Sequence, residues 1–322
     1  MASHPHVRVL YVLGVYHSGT TILGNMLGQL DGFLHVGELR ALWPKLTLPG
    51  YRCGCGEGLL DCPVWNKVLS AELGEGDVLA ERARELWHLQ RQVLGDHHTW
   101  RLVPALLRRR REGLRPDSPA ARYARALAGV YRRAAEVTGA QVIVDSSKEP
   151  TDAALLLTMP DVDVSIAQIV RDPRGLVYSV LRFQARGERI DGSRWRQSAY
   201  AALSWSAGNL AGATVRRAAG PGRSALLRYE DFVARPRETI ESLAGLAGWP
   251  ARLPDPGPGA DPGTVVLRPT HTVGGNNNRF RTGPVRLSED VQWRSGLHRI
   301  DRAAVTALCL PLMARYGYRP AR

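Results

Sequence analysis

The apolar pattern of the first thirty residues predicts a strand followed by a helix. Residues 7–13 (VRVLYVL) form a nearly continuous apolar run rich in β-forming residues, and Gly14 follows them. Such a run is typical of a strand buried on both faces, as in a parallel sheet. Residues 20–30 then place five apolar side chains at helical spacing. We therefore expect a strand–loop–helix unit at the start of the chain.

The same alternation continues through the middle of the chain. Further apolar runs predict three buried strands, at residues 141–144, 164–170 and 225–227. Helical patterns separate or follow them, at residues 149–158, 173–186, 195–219 and 236–247. Strands that alternate with helices predict an α/β fold with a doubly wound parallel sheet flanked by helices.

Two stretches depart from this alternation. Residues 66–138 carry Leu, Ala and Arg at helical spacing without a strand-like run, which predicts a helical insertion packed over the sheet. Residues 250–264 are rich in Pro and Gly, so we expect no regular structure there. A C-terminal segment, 265–322, follows and ends in a helix near residues 301–316. No internal repeat is visible, and residues 1–322 are predicted to form a single domain.

Composition is ordinary, but the charge is not. Of the 322 residues, 44% are hydrophobic and 23% are charged, as in soluble globular proteins, which excludes a disordered or collagen-like chain. The formal net charge of +13 favours a polyanionic partner, such as nucleic acid, an anionic membrane surface or a phosphorylated small molecule. Because no nucleic-acid-binding motif is present, we expect no nucleic-acid partner.

The sequence points to neither a membrane span nor an export signal. It contains no window of 18 or more apolar residues, which a transmembrane helix would need. Residues 6–15 look like the apolar part of a short signal peptide, but no small-residue cleavage site follows them. We therefore expect a cytoplasmic protein.

A glycine-bearing loop joins the first predicted strand to the first helix. Residues 14–21 (GVYHSGTT) have the G-x-x-x-x-G spacing of a P-loop, with Thr20 at the position of its Lys. Backbone N–H groups and the helix dipole form an anion site at such a helix start, and Thr20 and Thr21 can add hydroxyl donors. The Lys of nucleoside-triphosphate enzymes neutralises β- and γ-phosphates. A P-loop-type α/β protein whose loop keeps the anion site but lacks this Lys suits an anion with less charge at its reacting end.

A second anion site is predicted after the strand at residues 164–170. Arg171 ends this strand, Pro173 suits the first position of the next helix, and Ser179 lies further along it. A guanidinium and a hydroxyl beside a helix N-terminus form a phosphate clamp. The alternative is a structural pair between Arg171 and Asp172. Two phosphate sites on one sheet imply a nucleotide phosphorylated at two separate positions.

Five segments resemble, in order, the PAPS-dependent sulfotransferases of the P-loop superfamily, particularly their bacterial branch. GVYHSGTT and IVRDPRGLVYS resemble the 5′-phosphosulfate loop and the 3′-phosphate motif, and LRYEDFVARP (227–236) resembles a third motif. VDSSK (144–148) and HTVGGNNNRFRTG (271–283) are similar to segments of the bacterial branch. The resemblance covers most of the chain.

This resemblance implies a reaction. A sulfuryl group would pass by in-line displacement from 3′-phosphoadenylyl sulfate (PAPS) to a hydroxyl of a small-molecule or glycan acceptor, an alcohol or phenol. The product nucleotide would be adenosine 3′,5′-bisphosphate. Because the leaving group is already a phosphate, the reaction needs no metal.

The resemblance also implies roles for individual residues. The 5′-phosphosulfate would be held by Gly14, His17, Ser18, Gly19, Thr20 and Thr21. Arg171 and Ser179 would bind the 3′-phosphate. Arg279 and Arg281 would close over the nucleotide from the C-terminal segment.

One loop position departs from the family pattern. Many relatives carry Lys or Arg before S-G-T-T to stabilise charge on the leaving group, whereas this chain has His17. Since a histidine carries a full charge only when protonated, either the phosphosulfate raises the pKa of His17 or another cation replaces it. Lys148 is the substitute that we expect; the alternative role for Lys148 is a surface lysine on a turn.

The acceptor hydroxyl must transfer its proton to a carboxylate or a histidine. Similarity to the protein-tyrosine sulfotransferases around this position makes Glu38 the expected base. His35 is the alternative, because cytosolic relatives use a histidine. A Glu38 without a catalytic role would cap a helix or pair with Arg40.

A P-loop kinase or NTPase is the main competing interpretation, and a basic nucleic-acid-binding protein, which the net charge allows, is the second. The support for a kinase is Asp145, which ends a predicted strand and has the position of a Walker-B carboxylate. Thr20, at the position of the P-loop Lys, opposes it.

Three cysteines, Cys53, Cys55 and Cys62, form a compact C-x-C-x₆-C group. A structural zinc site takes four ligands, and these three lack a local fourth, since Cys309 is remote and His35 would have to fold in. We expect a structural loop with free or paired thiols and no metal; a metal site at these cysteines is the alternative.

Overall fold

A five-stranded parallel sheet forms the centre of the computed structural model, which describes residues 6–96, 99–184, 194–255, 257 and 263–320. Its strands are β1 (Val7–Gly14), β2 (Phe33–Gly37), β3 (Val142–Lys148), β4 (Val162–Val170) and β5 (Ser224–Arg228). They lie in the order β2-β3-β1-β4-β5, and every neighbouring pair is parallel. The predicted α/β fold with a parallel sheet is confirmed.

The central strand β1 explains why its sequence is apolar throughout. Val9, Tyr11 and Leu13 lie in one hydrophobic core, whereas Leu10 and Val12 lie in a second core on the opposite face. Successive side chains of a strand point to opposite faces, so a strand with helices on both sides buries every side chain.

Helices cover both faces of the sheet. In chain order they are α1 (Thr20–Leu27), α2 (Leu42–Leu46), α3 (Trp65–Leu73), α4 (Gly76–Leu94), α5 (Val103–Glu112), α6 (Pro119–Thr138), α7 (Pro150–Leu156), α8 (Pro173–Gln184), α9 (Arg194–Ala219), α10 (Tyr229–Ala234), α11 (Pro236–Leu246), α12 (Trp293–Gly296) and α13 (Arg299–Arg315). The segment predicted as a helical insertion contains α3 to α6, and its buried residues share the core of Val9 and Tyr11. Among the described helices, none is long and apolar enough to cross a membrane.

The apolar pattern does not predict three of the observed strands. β2 is short and carries a histidine at its centre, so no apolar run marks it. The strands β6 (Thr264–Leu267) and β7 (Gly283–Arg286) form a separate antiparallel pair. The segment expected to be irregular, 250–264, has no helix or strand at 250–255, but β6 begins at its last residue. Its residues 256 and 258–262 lie outside the described part of the chain, as do residues 185–186 of the predicted helix 173–186.

Candidate active site

The carboxyl ends of the five parallel strands meet at one edge of the sheet, where α/β proteins bind their ligands. Each strand is followed at this edge by a residue of the predicted motifs. These residues are Gly14 at β1, Glu38 after β2, Lys148 at β3, Arg171 after β4 and Tyr229 after β5. The topology therefore brings together the segments that the sequence separates.

The loop after β1 presents the start of α1 to this edge. Gly19 is the N-terminal cap of α1 with φ +92°, and no side chain of the described residues caps the helix there. The first-turn N–H groups of a helix have no acceptor within the helix, so they point toward a ligand. A Cβ atom on Gly19 would lie 2.6 Å from the ring of Tyr229, so glycine is required both by the backbone and by the space. The Ser18 hydroxyl donates to the Val15 carbonyl and thereby shapes the loop.

His17 is held by the predicted 3′-phosphate motif. Its Nδ1 lies 3.1 Å from the Ser179 hydroxyl, and its carbonyl accepts a hydrogen bond of 2.8 Å from Arg171. Burial, reinforced by the positive charges of Arg171 and Lys148, lowers the pKa of His17 to about 4. His17 is therefore a neutral hydrogen-bonding group in the protein without ligand.

Arg171 is buried and has two partners besides His17. It donates to Asp290 at 3.0 Å, and its guanidinium stacks on the Tyr229 ring, 4.7 Å from the ring centre. The alternative pair between Arg171 and Asp172 is not formed, because Asp172 binds Arg174 through two hydrogen bonds of 3.0 and 2.6 Å. Arg171 thus has a cationic edge directed to the phosphate loop.

Glu38 and Lys148 form an ion pair at the ends of β2 and β3. Lys148 is 6% exposed, so it is not a surface lysine. Burial lowers the pKa of its ammonium to about 7, whereas the nearby negative charge of Glu149 acts in the opposite direction. Glu38 precedes a short 3₁₀ turn (Leu39–Ala41), but its side chain makes no capping hydrogen bond there, and Arg40 pairs with Asp152 instead.

The backbone at this edge is strained. Among the described residues, His17 (φ 65°) and Lys148 (φ 72°) are the two non-glycine residues with positive φ. Such conformations cost about 1–3 kcal/mol each and are concentrated at functional sites. Both residues that compete for the role of the loop cation are therefore held in unfavourable backbone conformations.

His35 lies beneath α1 and not at the edge. It is 1% exposed, its Nε2 lies 2.9 Å from the Ser146 hydroxyl, and burial lowers its pKa to about 3. A Cβ atom on Gly24 would lie 2.3 Å from the same Nε2, and one on Gly28 would lie 2.8 Å from the His35 Cβ. Gly24 within α1 and Gly28 just after its end are thus explained by the histidine that packs against them.

The segment 271–283 crosses the candidate site. Val273 bridges the sheet edge, because its N–H donates to Val36 at 2.8 Å and its carbonyl accepts from the Glu38 N–H at 2.5 Å. A Cβ atom on Gly275 would lie 3.5 Å from the Glu38 carboxylate and 3.8 Å from the Thr21 hydroxyl. The segment therefore brings Glu38 and the phosphate loop to one place.

The two arginines of this segment differ. Arg279 is buried and donates to the Tyr51 hydroxyl at 2.8 Å and to the Arg52 carbonyl at 3.0 Å. Arg281 is exposed. In this structure Arg279 braces the segment, and Arg281 has the free surface that a ligand contact needs.

Several residues of the site were not predicted to contribute. Tyr229 covers Gly19 and Arg171, and Glu230 accepts from the Asp172 N–H at 3.0 Å and from the Tyr318 hydroxyl at 2.8 Å. Both belong to the LRYEDFVARP motif, which was a detectable signal. Asp290 has no such signal, since no motif surrounds it.

Asp145 is not available as a Walker-B carboxylate. One of its oxygens accepts from the Ser147 N–H at 2.8 Å and from the Ser147 hydroxyl at 2.6 Å, and the other accepts from the Tyr131 hydroxyl. Burial raises the pKa of Asp145 to about 6. A carboxylate used in this way orders the end of β3, which removes the support for a kinase.

None of the four cysteines, all within the described residues, forms a disulfide. Cys53, Cys55 and Cys62 converge, and the histidine that joins them is His271. The idea that His35 folds in as a fourth group is wrong, because His35 is fixed under α1 by Ser146.

Comparison with known proteins identifies the family. A profile of the sulfotransferase family matches residues 10–254. No curated protein sequence is significantly similar to the chain. The sulfotransferase domain of the Synechococcus PCC 7002 olefin synthase superposes with a TM-score of 0.54 at 18% identity, over 98% of this chain and 97% of that domain. The sulfotransferase domain of the curacin biosynthetic pathway superposes with a TM-score of 0.52 at 15% identity, over 99% and 100%.

A third solved structure, sulfotransferase STF9 from Mycobacterium avium, superposes with a TM-score of 0.50 at 14% identity, over 98% of this chain and 78% of that one. Identities this low show a shared fold, whereas the family match extends over most of the sequence. The chain therefore belongs to the sulfotransferase family.

Proposed function

We propose that the chain transfers a sulfuryl group from PAPS to a hydroxyl group of a small-molecule or glycan acceptor. The observation that carries this proposal is the arrangement at the sheet edge. An uncapped helix start, a buried arginine and a carboxylate–lysine pair converge there. Together they offer what sulfuryl transfer needs: an anion site, a cation and a proton acceptor.

The hydrogen-bond donors and cations at the sheet edge suit a nucleotide with two anionic groups. Gly14, His17 and Ser18 to Thr21 would surround the 5′-phosphosulfate, where the first-turn N–H groups of α1 are uncapped. Arg171 and Ser179 would bind the 3′-phosphate, which would compete with Asp290 for the guanidinium. Arg281 would approach the nucleotide from segment 271–283, which Arg279 holds in place.

When bound, PAPS supplies the sulfuryl group and a phosphate leaving group. As the acceptor oxygen bonds to sulfur and the sulfur–phosphate oxygen bond breaks, the Glu38 carboxylate takes the acceptor proton. Lys148 supplies the positive charge that neutral His17 does not. In this scheme the Lys148 ammonium stabilises the ionised form of the Glu38 base before the donor binds.

The choice of Glu38 over His35 follows from access. The Glu38 side chain is 18% exposed and lies close to Gly275, which is also close to Thr21, whereas His35 is enclosed by α1 and bound to Ser146. A base must reach the acceptor proton directly or through one water. The partial exposure of Glu38 supports it as the proposed base, and the enclosed position of His35 argues against the histidine.

The acceptor panel covers the classes named in the proposal. The two matched domains come from the curacin pathway and from an olefin synthase. Small-molecule alcohols are the first acceptors to screen, with phenols and glycans as the other arms of the panel.

Thermal shift with nucleotides tests the proposal directly. Adenosine 3′,5′-bisphosphate is expected to raise the Tm, because a ligand that binds the folded state stabilises it. ATP with Mg²⁺ should raise the Tm less. A larger shift with ATP and Mg²⁺ would contradict the proposal and favour phosphoryl transfer. Turnover is then measured with labelled PAPS and the acceptor panel.

The lysine gives the reaction a pH dependence. Because the pKa of Lys148 is about 7 and its charged form is the active one, kcat/KM for PAPS is expected to fall as pH rises above about 7. Replacing Lys148 by Arg should move this decrease in kcat/KM to higher pH, since a guanidinium stays protonated. The measurement is the pH profile of kcat/KM, with exposed Lys67→Arg as the control. An alkaline limb at the same pH in Lys148→Arg would show that another group titrates.

A further inference from the structure

Backbone hydrogen bonds within the loop fix the shape of residues 53–62, which carry the three clustered cysteines. The Cys53 N–H donates to the Glu57 carbonyl at 2.9 Å, and the Gly56 N–H donates to the Cys53 carbonyl at 2.9 Å. A further hydrogen bond of 2.8 Å, from the Cys62 N–H to the Gly58 carbonyl, closes a second turn. These turns hold the three thiols on one side of the loop.

A histidine from the far end of the chain completes the cluster. The His271 Nδ1 lies 3.2 Å from the Cys62 sulfur, and the His271 carbonyl accepts a hydrogen bond of 2.7 Å from the Trp65 indole. The neighbouring Thr272 carbonyl accepts from the Gly54 N–H at 3.0 Å. Backbone and side chain thus both attach segment 271–283 to the cysteine loop.

The geometry and the chemistry of the four ligand atoms match zinc. The sulfurs of Cys53, Cys55 and Cys62 and a ring nitrogen of His271 all lie within 4.8 Å of one another. Tetrahedral Zn²⁺, with bonds of about 2.3 Å to sulfur and 2.0–2.1 Å to nitrogen, separates its ligand atoms by about 3.5–3.8 Å. Three sulfurs and one imidazole also exclude Mg²⁺ and Ca²⁺, which take oxygen ligands.

We propose that Cys53, Cys55, Cys62 and His271 bind one structural Zn²⁺ ion. The four protein ligands fill the tetrahedral shell, so no position is left for a substrate. Binding converts the thiols to thiolates and releases their protons to solvent. The proposal goes beyond the sulfuryl transfer described above, whose chemistry involves no metal.

The position of the ion gives it a consequence for the active site. Two residues beyond His271, the Val273 carbonyl accepts from the Glu38 N–H, and Arg279 binds Tyr51 and Arg52 at the base of the cysteine loop. The metal would therefore fasten the segment that positions the proposed base. Loss of zinc should loosen this segment without removing any residue that contacts the donor.

Zinc content of the purified full chain tests the proposal. The protein, expressed with zinc in the medium, is expected to contain about one Zn²⁺ per chain by elemental analysis. His271→Asn and Cys55→Ser should each lower this to below about a tenth, whereas His271→Cys, which restores a fourth ligand, should retain it. Cys309→Ser, a buried cysteine outside the cluster, is the matched control and should retain zinc.

A second measurement does not depend on the folding of the variants. Removal of the metal from the wild-type protein by a chelator should lower the Tm, and Co²⁺ added back should give the visible absorption of a tetrahedral cobalt–thiolate site. Wild-type protein without zinc, a disulfide among the three cysteines, or iron in place of zinc would each overturn the proposal. Zinc retained in His271→Asn at the wild-type level would overturn the ligand set.

Discussion

Glu38→Gln is expected to lower kcat by about 10²–10⁴, the usual contribution of general-base catalysis, while adenosine 3′,5′-bisphosphate affinity changes little. Glutamine keeps the shape of the side chain and one oxygen toward Lys148, and the bond from the residue 38 N–H to Val273 survives. What the substitution removes is the ability to take a proton. The measurements are kcat with the best acceptor and nucleotide affinity by calorimetry.

Glu38→Gln also breaks an ion pair, so its effect needs a matched control. Asp152→Asn breaks the pair between Arg40 and Asp152, which is buried beside the same turn but does not touch the proposed base. We expect Asp152→Asn to lower the Tm and to retain kcat. His35→Asn should retain most of the activity. Full turnover in Glu38→Gln together with an inactive His35→Asn would reverse the assignment of the base.

Arg171→Ala is expected to weaken adenosine 3′,5′-bisphosphate binding by about 10–100-fold, which corresponds to the loss of a hydrogen-bonded charge pair. Adenosine 5′-phosphosulfate lacks the 3′-phosphate, so its binding should change far less. Asp290→Asn removes the carboxylate that now pairs with Arg171, and we expect it to tighten bisphosphate binding. The measurement is the affinity of each variant for both nucleotides.

A structural role for Arg171 would give a different pattern. Arg174, three residues away, pairs with Asp172 and serves as the control. Arg174→Ala should lower the Tm and affect both nucleotides equally. If Arg171→Ala also weakened both nucleotides equally, the proposed 3′-phosphate contact would be wrong.

The parts of the fold that the sequence predicts are those with a local cause. β1 and β4 are buried on both faces, so their apolar runs predict them within one or two residues. The phosphate loop and Arg171 follow such strands directly, and their places at the sheet edge therefore follow from the strand pattern. Local periodicity contains this information because it depends on neighbours a few residues apart.

The features that the sequence does not predict depend on contacts between residues that are distant in sequence. β2 has no apolar run because His35, at its centre, packs against glycines of α1. Asp290 reaches Arg171 and His271 reaches Cys62 across separations of 119 and 209 positions. No periodic pattern within one segment encodes contacts between such distant residues, so the contact of His271 with the cysteine cluster could not be predicted.

The bridge made by Val273 has a consequence for the order in which the molecule is assembled. During synthesis the strands β1 to β5 leave the ribosome before Val273 does, and they can pair as soon as they emerge. The Glu38 backbone, however, obtains its partner only when the late segment returns to the edge of β2, one of the most non-local contacts in the chain. Contacts of this kind form slowly. A nascent chain would thus possess its sheet and phosphate loop before the proposed base, Glu38, was positioned, and we expect it to be inert until residues 271–283 have emerged.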